Sequence, residues 1–126
     1  MRASSPLAAA AALVTVFSLG GCGATAPEPE IVPVPTNAPT SLCMDALIRG
    51  TLVADERWGI ALEHSTTRSK VIWPNGYHGL RDGSDLGLVD GRGQLIGRVG
   101  DVIESGGGNV GGADNTVILC SPKVVR

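Results

Sequence analysis

From residue 42 onward the apolar residues fall in short aliphatic and β-branched runs interrupted every few positions by glycine, with almost none of the three-to-four spacing that a helix needs. Glycine loses more backbone entropy than other residues inside a regular element and tolerates positive φ, so runs bounded by it read as short strands joined by turns. Strands are expected over residues 46–55, 59–63, 70–73, 86–89, 94–99, 101–104 and 116–120. Ile48, Gly50 and Leu52 alternate with Arg49 and Thr51, and Ile60 and Leu62 alternate with Ala61 and Glu63, so one face of each strand should be buried. Asp90-Gly91, set between Leu88-Val89 and Leu95-Ile96, is a hairpin signal, because an Asp-Gly pair accepts positive φ.

A chain of 126 residues with 43% hydrophobic content suits one small domain rather than several. The short strands and scattered glycines point to an all-β fold over residues 42–126. The expected form is a small, strongly curved barrel, closed or partly open and of the oligonucleotide/oligosaccharide-binding (OB-like) kind, with a small β-sandwich as the alternative.

Upstream the pattern changes. Residues 7–17 carry no charge and follow Arg2, which is the plan of an export signal. The apolar stretch, residues 7–19, falls well short of the roughly 20 residues that cross a bilayer as a helix, so it targets rather than spans. Leu19-Gly20-Gly21-Cys22 then places two small residues and a cysteine where a peptidase would cut. This resembles the lipobox of bacterial lipoproteins. The resemblance implies that residues 1–21 are a signal peptide and that Cys22 becomes the acylated first residue. The remainder would be held by its lipid anchor on the extracytoplasmic face of a bacterial membrane. Two acyl chains, each contributing about 0.8 kcal/mol per buried methylene, would keep it there. Residues 22–41 are then the lipidated cysteine and a proline-rich linker. Pro27, Pro29, Pro33, Pro35 and Pro39 favour an extended backbone, and Ile31, Val32 and Val34 are the only large apolar side chains. The linker is expected to be a semi-rigid spacer that packs no core, and Glu28 and Glu30 give it no attraction to anionic headgroups.

With Cys22 assigned to lipid, Cys43 and Cys120 remain as an even pair, and no Cys-x-x-Cys motif points to redox chemistry or zinc. A structural disulfide between them is expected. It would close about 78 residues, worth roughly 4 to 5 kcal/mol on loop-closure entropy and about 2 to 4 in usual practice.

The domain also resembles small secreted bacterial domains of uncertain role. The matching features are Gly50-Thr51-Leu52, the turn Trp73-Pro74-Asn75-Gly76-Tyr77, Asp90-Gly91, Gly100-Asp101 and the run Gly106-Gly107-Gly108, spread over residues 49–112. The resemblance implies the β fold and carries over no catalytic residue.

The chemistry legible in the sequence is mostly exclusion. Lysine and arginine total 10, loss of Arg2 leaves nine, and these face 12 acidic residues, so the positive field behind nucleic-acid affinity is missing. Trp58, Trp73 and Tyr77 are the only aromatics after the signal, too few for a base-stacking groove. His64 and His78 have no partner at metal-binding spacing, so no metal or cofactor is implied. Ser84, His78, Asp82 and Asp85 lie close in sequence, but the Asp-Gly-Ser-Asp stretch reads as a turn. Residues 105–114 lack the lysine and the following helix of a phosphate loop. Asp101, Glu104 and Asp114 do not have the spacing of an EF-hand loop, so a flexible connection between strands is expected there. These exclusions favour a non-enzymatic binding or structural module that meets an envelope protein or cell-wall partner; the alternative is a small cell-surface hydrolase or metal-dependent enzyme. Any docking surface is expected on residues 73–81, where Trp73, Tyr77, His78 and Arg81 share one connection. The competing reading plugs the barrel end with Trp73 and packs Tyr77 upon it.

Overall fold

The computed structural model describes residues 28–40 and 42–126; the signal segment and Cys22 lie outside the described residues. Among the described residues the fold is all-β, with eleven strands: β1 (Glu30–Val32), β2 (Ala46–Asp55), β3 (Gly59–His64), β4 (Thr67–Ser69), β5 (Val71–Ile72), β6 (His78–Asp82), β7 (Asp85–Val89), β8 (Leu95–Arg98), β9 (Val102–Gly111), β10 (Thr116–Leu119) and β11 (Lys123–Val124). One sheet has the order β1-β6-β7-β8, and the other the order β4-β3-β2-β9-β10-β5, with β11 on β9. Neither sheet closes into a barrel. The larger one nevertheless curls back on itself, because β4 and β5 occupy its two ends although Lys70 alone separates them in sequence. The Lys70 N–H donates to the Asp114 carbonyl and its carbonyl accepts from the Val117 N–H, which ties that short segment to the far edge.

The core lies between the sheets. Leu52, Ile60, Val71, Ile103 and Leu119 from the larger sheet meet Leu86 and Leu88 of the smaller one, and Trp73 is fully enclosed among them. The alternation expected in β2 is present, with Gly50 and Leu52 buried and Arg49 exposed. In β3 Ile60 and Leu62 are buried as expected, and Ala61 is buried as well. Cys43 and Cys120 are joined in a disulfide with their Cα atoms 5.9 Å apart. Beside it the buried Ser105 hydroxyl accepts the N–H groups of Cys120 and Ser121 and donates to the Gly106 carbonyl, so its hydrogen-bonding capacity is used.

Three expectations are corrected. Residues 30–37 were expected to lie in a spacer that packs no core, yet they belong to the fold. β1 pairs antiparallel with β6, Trp73 exchanges backbone hydrogen bonds with Pro35 and Asn37, and Val32 and Val34 pack on the core. Prolines sit at positions whose N–H the sheet does not need, which lets an extended proline-rich segment serve as an edge strand. The glycine-rich segment 105–111 is not a flexible connection but the second half of β9, between β2 and β10. Its glycines serve close approach: a Cβ on Gly107 would collide with the Ile118 carbonyl oxygen of the neighbouring strand. The hairpin at Asp90 forms, but Gly93 rather than Gly91 takes positive φ (83°), while the Asp90 carboxylate accepts the N–H groups of Arg92 and Gln94 at 2.8 and 2.9 Å.

Candidate functional site

The stretch 73–81 does not present one surface. Trp73 is 0% exposed and its indole N–H donates to the Ile60 carbonyl at 3.4 Å, as the plug reading requires. The chain turns over residues 74–77, closed by the Tyr77 N–H on the Pro74 carbonyl. Tyr77 packs half-buried against the core, and burial, helped by the nearby Asp90 charge, pushes its phenol above the ordinary tyrosine range. From His78 the chain is already strand β6. His78 and Arg81 are three residues apart on it and point to opposite faces. The His78 ring lies 3.4 Å from the Gly76 carbonyl, while Arg81 sits opposite Glu30 of β1. β1 produces this division by occupying the edge that an exposed loop would have left free.

The other candidate groups are dispersed too. Asp82 and Asp85 form the closing pair of the β6–β7 hairpin, and Ser84 is at its exposed tip. Asp101 caps a turn by accepting the Arg98 N–H at 2.8 Å, whereas Glu104 lies in β9 opposite Arg49 and Lys123. Among the described residues no three His, Cys, Asp or Glu side chains come together as metal ligands.

Two concave sites stand at opposite ends of β2 and β3. At the Asp55 end, the Asp55 side chain is 5% exposed and organises the β2–β3 turn. It accepts the N–H groups of Arg57 and Trp58 at 2.8 and 3.2 Å and faces the guanidinium groups of Arg68 and Arg57 at 3.4 and 3.6 Å. Burial opposes its ionisation, but the two backbone donors and the two arginines outweigh that and hold its carboxyl below the usual aspartate value. Arg68 also pairs with Glu63 at 3.2 Å. These contacts are all internal and serve the turn.

At the other end lies the mouth of the curled sheet, a cleft of about 430 Å³ between the first half of β2, the β3–β4 hairpin and the β9–β10 hairpin. Ile48, Leu62 and Val117 form an aliphatic floor continuous with the core. Around it stand Arg49, His64, Thr67, Ser69, Asn109 and Asn115. Among the described residues no carboxylate lines the cleft, although Glu104 stands across from Arg49 on β9 and the chain as a whole is acidic. Arg49 makes no ion pair with a described residue. Asn115 is held at φ 48° in the turn before β10, and the Asn109 side-chain oxygen accepts the Gly111 N–H at 2.7 Å, so both rim amides are positioned by local backbone. An apolar floor with a few convergent polar groups is the usual form of a small-molecule site. Here the fork of a guanidinium, an imidazole, two amides and two hydroxyls can hydrogen-bond a polar or anionic group while the floor covers an apolar part. Sequence reasoning missed this site: its residues come from five strands and turns, and no local motif joins them.

No family model, curated protein or solved structure matches the chain.

Proposed function

We propose that this chain is an envelope lipoprotein, anchored by an acylated Cys22 on the extracytoplasmic face of a bacterial membrane, whose domain binds another envelope component without catalysing a reaction. The observation behind binding is the mouth cleft, with its aliphatic floor, its carboxylate-free rim and an Arg49 left without an ion pair among the described residues. The anchor rests on the lipobox-like Leu19-Gly20-Gly21-Cys22. The rim works through hydrogen bonding, so a partner offering carboxylate, phosphate or hydroxyl groups suits it.

Two measurements test the two halves. Cells fed an alkyne fatty acid should label the wild type but not Cys22→Ala, which should leave the membrane fraction or remain as precursor; a processed, membrane-bound Cys22→Ala protein refutes the anchor. A photo-crosslinking residue placed at Asn109 in intact cells should capture a discrete partner that is lost in Arg49→Ala. Capture that is the same from Asn109 and from Ser84, on the opposite hairpin, refutes the cleft as the binding face.

A further inference from the structure

We propose that the domain rests on the lipid bilayer by its β2–β3 turn and the start of β1, with Trp58 in the headgroup layer and the mouth cleft directed away from the membrane. The proposal builds on the lipid anchor above and on where the chain joins the domain. β1 begins at Glu30, and the stretch from Cys22 to Glu30, even fully extended, reaches at most about 29 Å. Had all of residues 22–41 been free spacer, the reach would have been more than twice that.

The end of the domain that carries Glu30 also carries the β2–β3 turn. A Cβ on Gly59 would press on the Pro33 carbonyl and on the side chains of Val32 and Val34, so the turn sits directly on the arriving chain. Between them runs an open groove of about 720 Å³, bordered by Glu30, Ile31, Glu56, Arg57 and Arg81. Ile31 is 65% exposed, and Trp58 is partly exposed with the Arg57 guanidinium 3.9 Å from its ring centroid. A tryptophan with an apolar body and a cation stacked on it is suited to the boundary between headgroups and water.

Charge at this end is nearly balanced, because Asp55 is paired with Arg57 and Arg68, and Glu30 lies across from Arg81. The contact is therefore made by ring and aliphatic surface rather than by attraction to anionic lipid. β2 and β3 run from this end to the mouth, so Arg49 and His64 stand about 17 to 20 Å further out at strand rise. A domain resting on its turn offers the cleft to whatever lies beyond the membrane.

The two tryptophans provide the experiment, since Trp73 is 0% exposed and serves as the shielded reference. Residues 22–126, with the Cys43–Cys120 bridge formed, are coupled through the Cys22 thiol to a maleimide lipid in phosphatidylcholine vesicles. The lipid is thus supplied whether or not cells acylate Cys22, and a failure of the anchor reading shows separately in fatty-acid labelling. With lipids brominated near the headgroup, total tryptophan emission should fall by roughly a third, as one indole of two sits at that depth. Trp58→Phe should abolish the fall, and 1 M salt should leave it in place. Equal emission on brominated and plain vesicles, an equal fall in Trp58→Phe, or loss of quenching in salt overturns the proposal.

Discussion

Replacing Asp55 by alanine removes the side-chain acceptor that holds the β2–β3 turn, and the structure allows the cost to be worked out. Two backbone N–H groups, at 2.8 and 3.2 Å, lose their partner, and Arg68 keeps only its exposed contact with Glu63. Hydrogen bonds to a charged group contribute about 1.5 to 3 kcal/mol each in favourable cases; water reaches the partly exposed arginines and the turn itself, so a total loss of about 2 to 3 kcal/mol is expected. In a domain near 100 residues that lowers Tm by about 8 to 20 °C. Asp55→Asn keeps one oxygen for the backbone donors but loses the charge and turns an amide toward the Arg68 guanidinium, so it should fall between the wild type and Asp55→Ala.

The pH dependence carries a sign that can be checked. The carboxyl is held below its ordinary value in the folded state, so its contribution is complete above the unfolded aspartate pKa, near 3.9, and is lost as pH falls through the lower folded value. Urea unfolding at pH 7 and at pH 3 should therefore show a smaller stability difference in Asp55→Asn than in wild type. An Asp55→Ala protein with wild-type midpoint at pH 7, or an Asp55→Asn protein with an unchanged acid dependence, would refute the assignment.

Reduction of the Cys43–Cys120 bridge should cost about 2 to 4 kcal/mol, and unreduced peptide mapping of natively exported protein should recover the linked pair; two free thiols would contradict the placement of β2 and β10. Gly107→Ala should lower the unfolding free energy from urea titration by about 1 to 3 kcal/mol through its collision with the Ile118 carbonyl, whereas the same change at Gly83, at an exposed turn with open space around it, should act only through its positive φ and cost less. Val32→Ala with Val34→Ala should destabilise the domain by about 1 to 3 kcal/mol in the same assay, because both pack on the core; a neutral double variant would return residues 30–37 to the role of spacer.

Local physics was enough for a large part of this fold. β2 matches its expected limits, with alternation clearest over residues 48–52, and β3, β7, β8 and β10 fall within a residue or two of expectation because each is an aliphatic run bounded by turn residues. The hairpin at Asp90 was legible from its Asp-Gly pair, although the positive φ falls on Gly93 and the Asp90 side chain caps the turn. The disulfide followed from cysteine number once Cys22 was set aside.

What the sequence could not express were pairings whose partners lie far along the chain. Glu30–Val32 and His78–Asp82 are each too short or too polar to read as strands, and they become strands because each supplies the other's missing hydrogen bonds. Residues 105–111 look like a loop because glycine has no side chain to signal a buried face, yet at Gly107, between β2 and β10, that same absence admits a neighbouring backbone that a Cβ would exclude. The candidate site has the same origin. Arg49, His64, Asn109 and Asn115 are spread across more than half of the domain, and only the curl of the larger sheet gathers them at one mouth. Trp73 shows the converse: by residue type it is a docking anchor, but the space between the sheets decides that it is core. Residue type and spacing therefore determined the strands that carry aliphatic runs and the turns that carry Asp or Gly, because those depend on neighbours in sequence. The tertiary structure alone decided which edges pair, which glycines are buried and which polar groups converge, because those depend on neighbours in space.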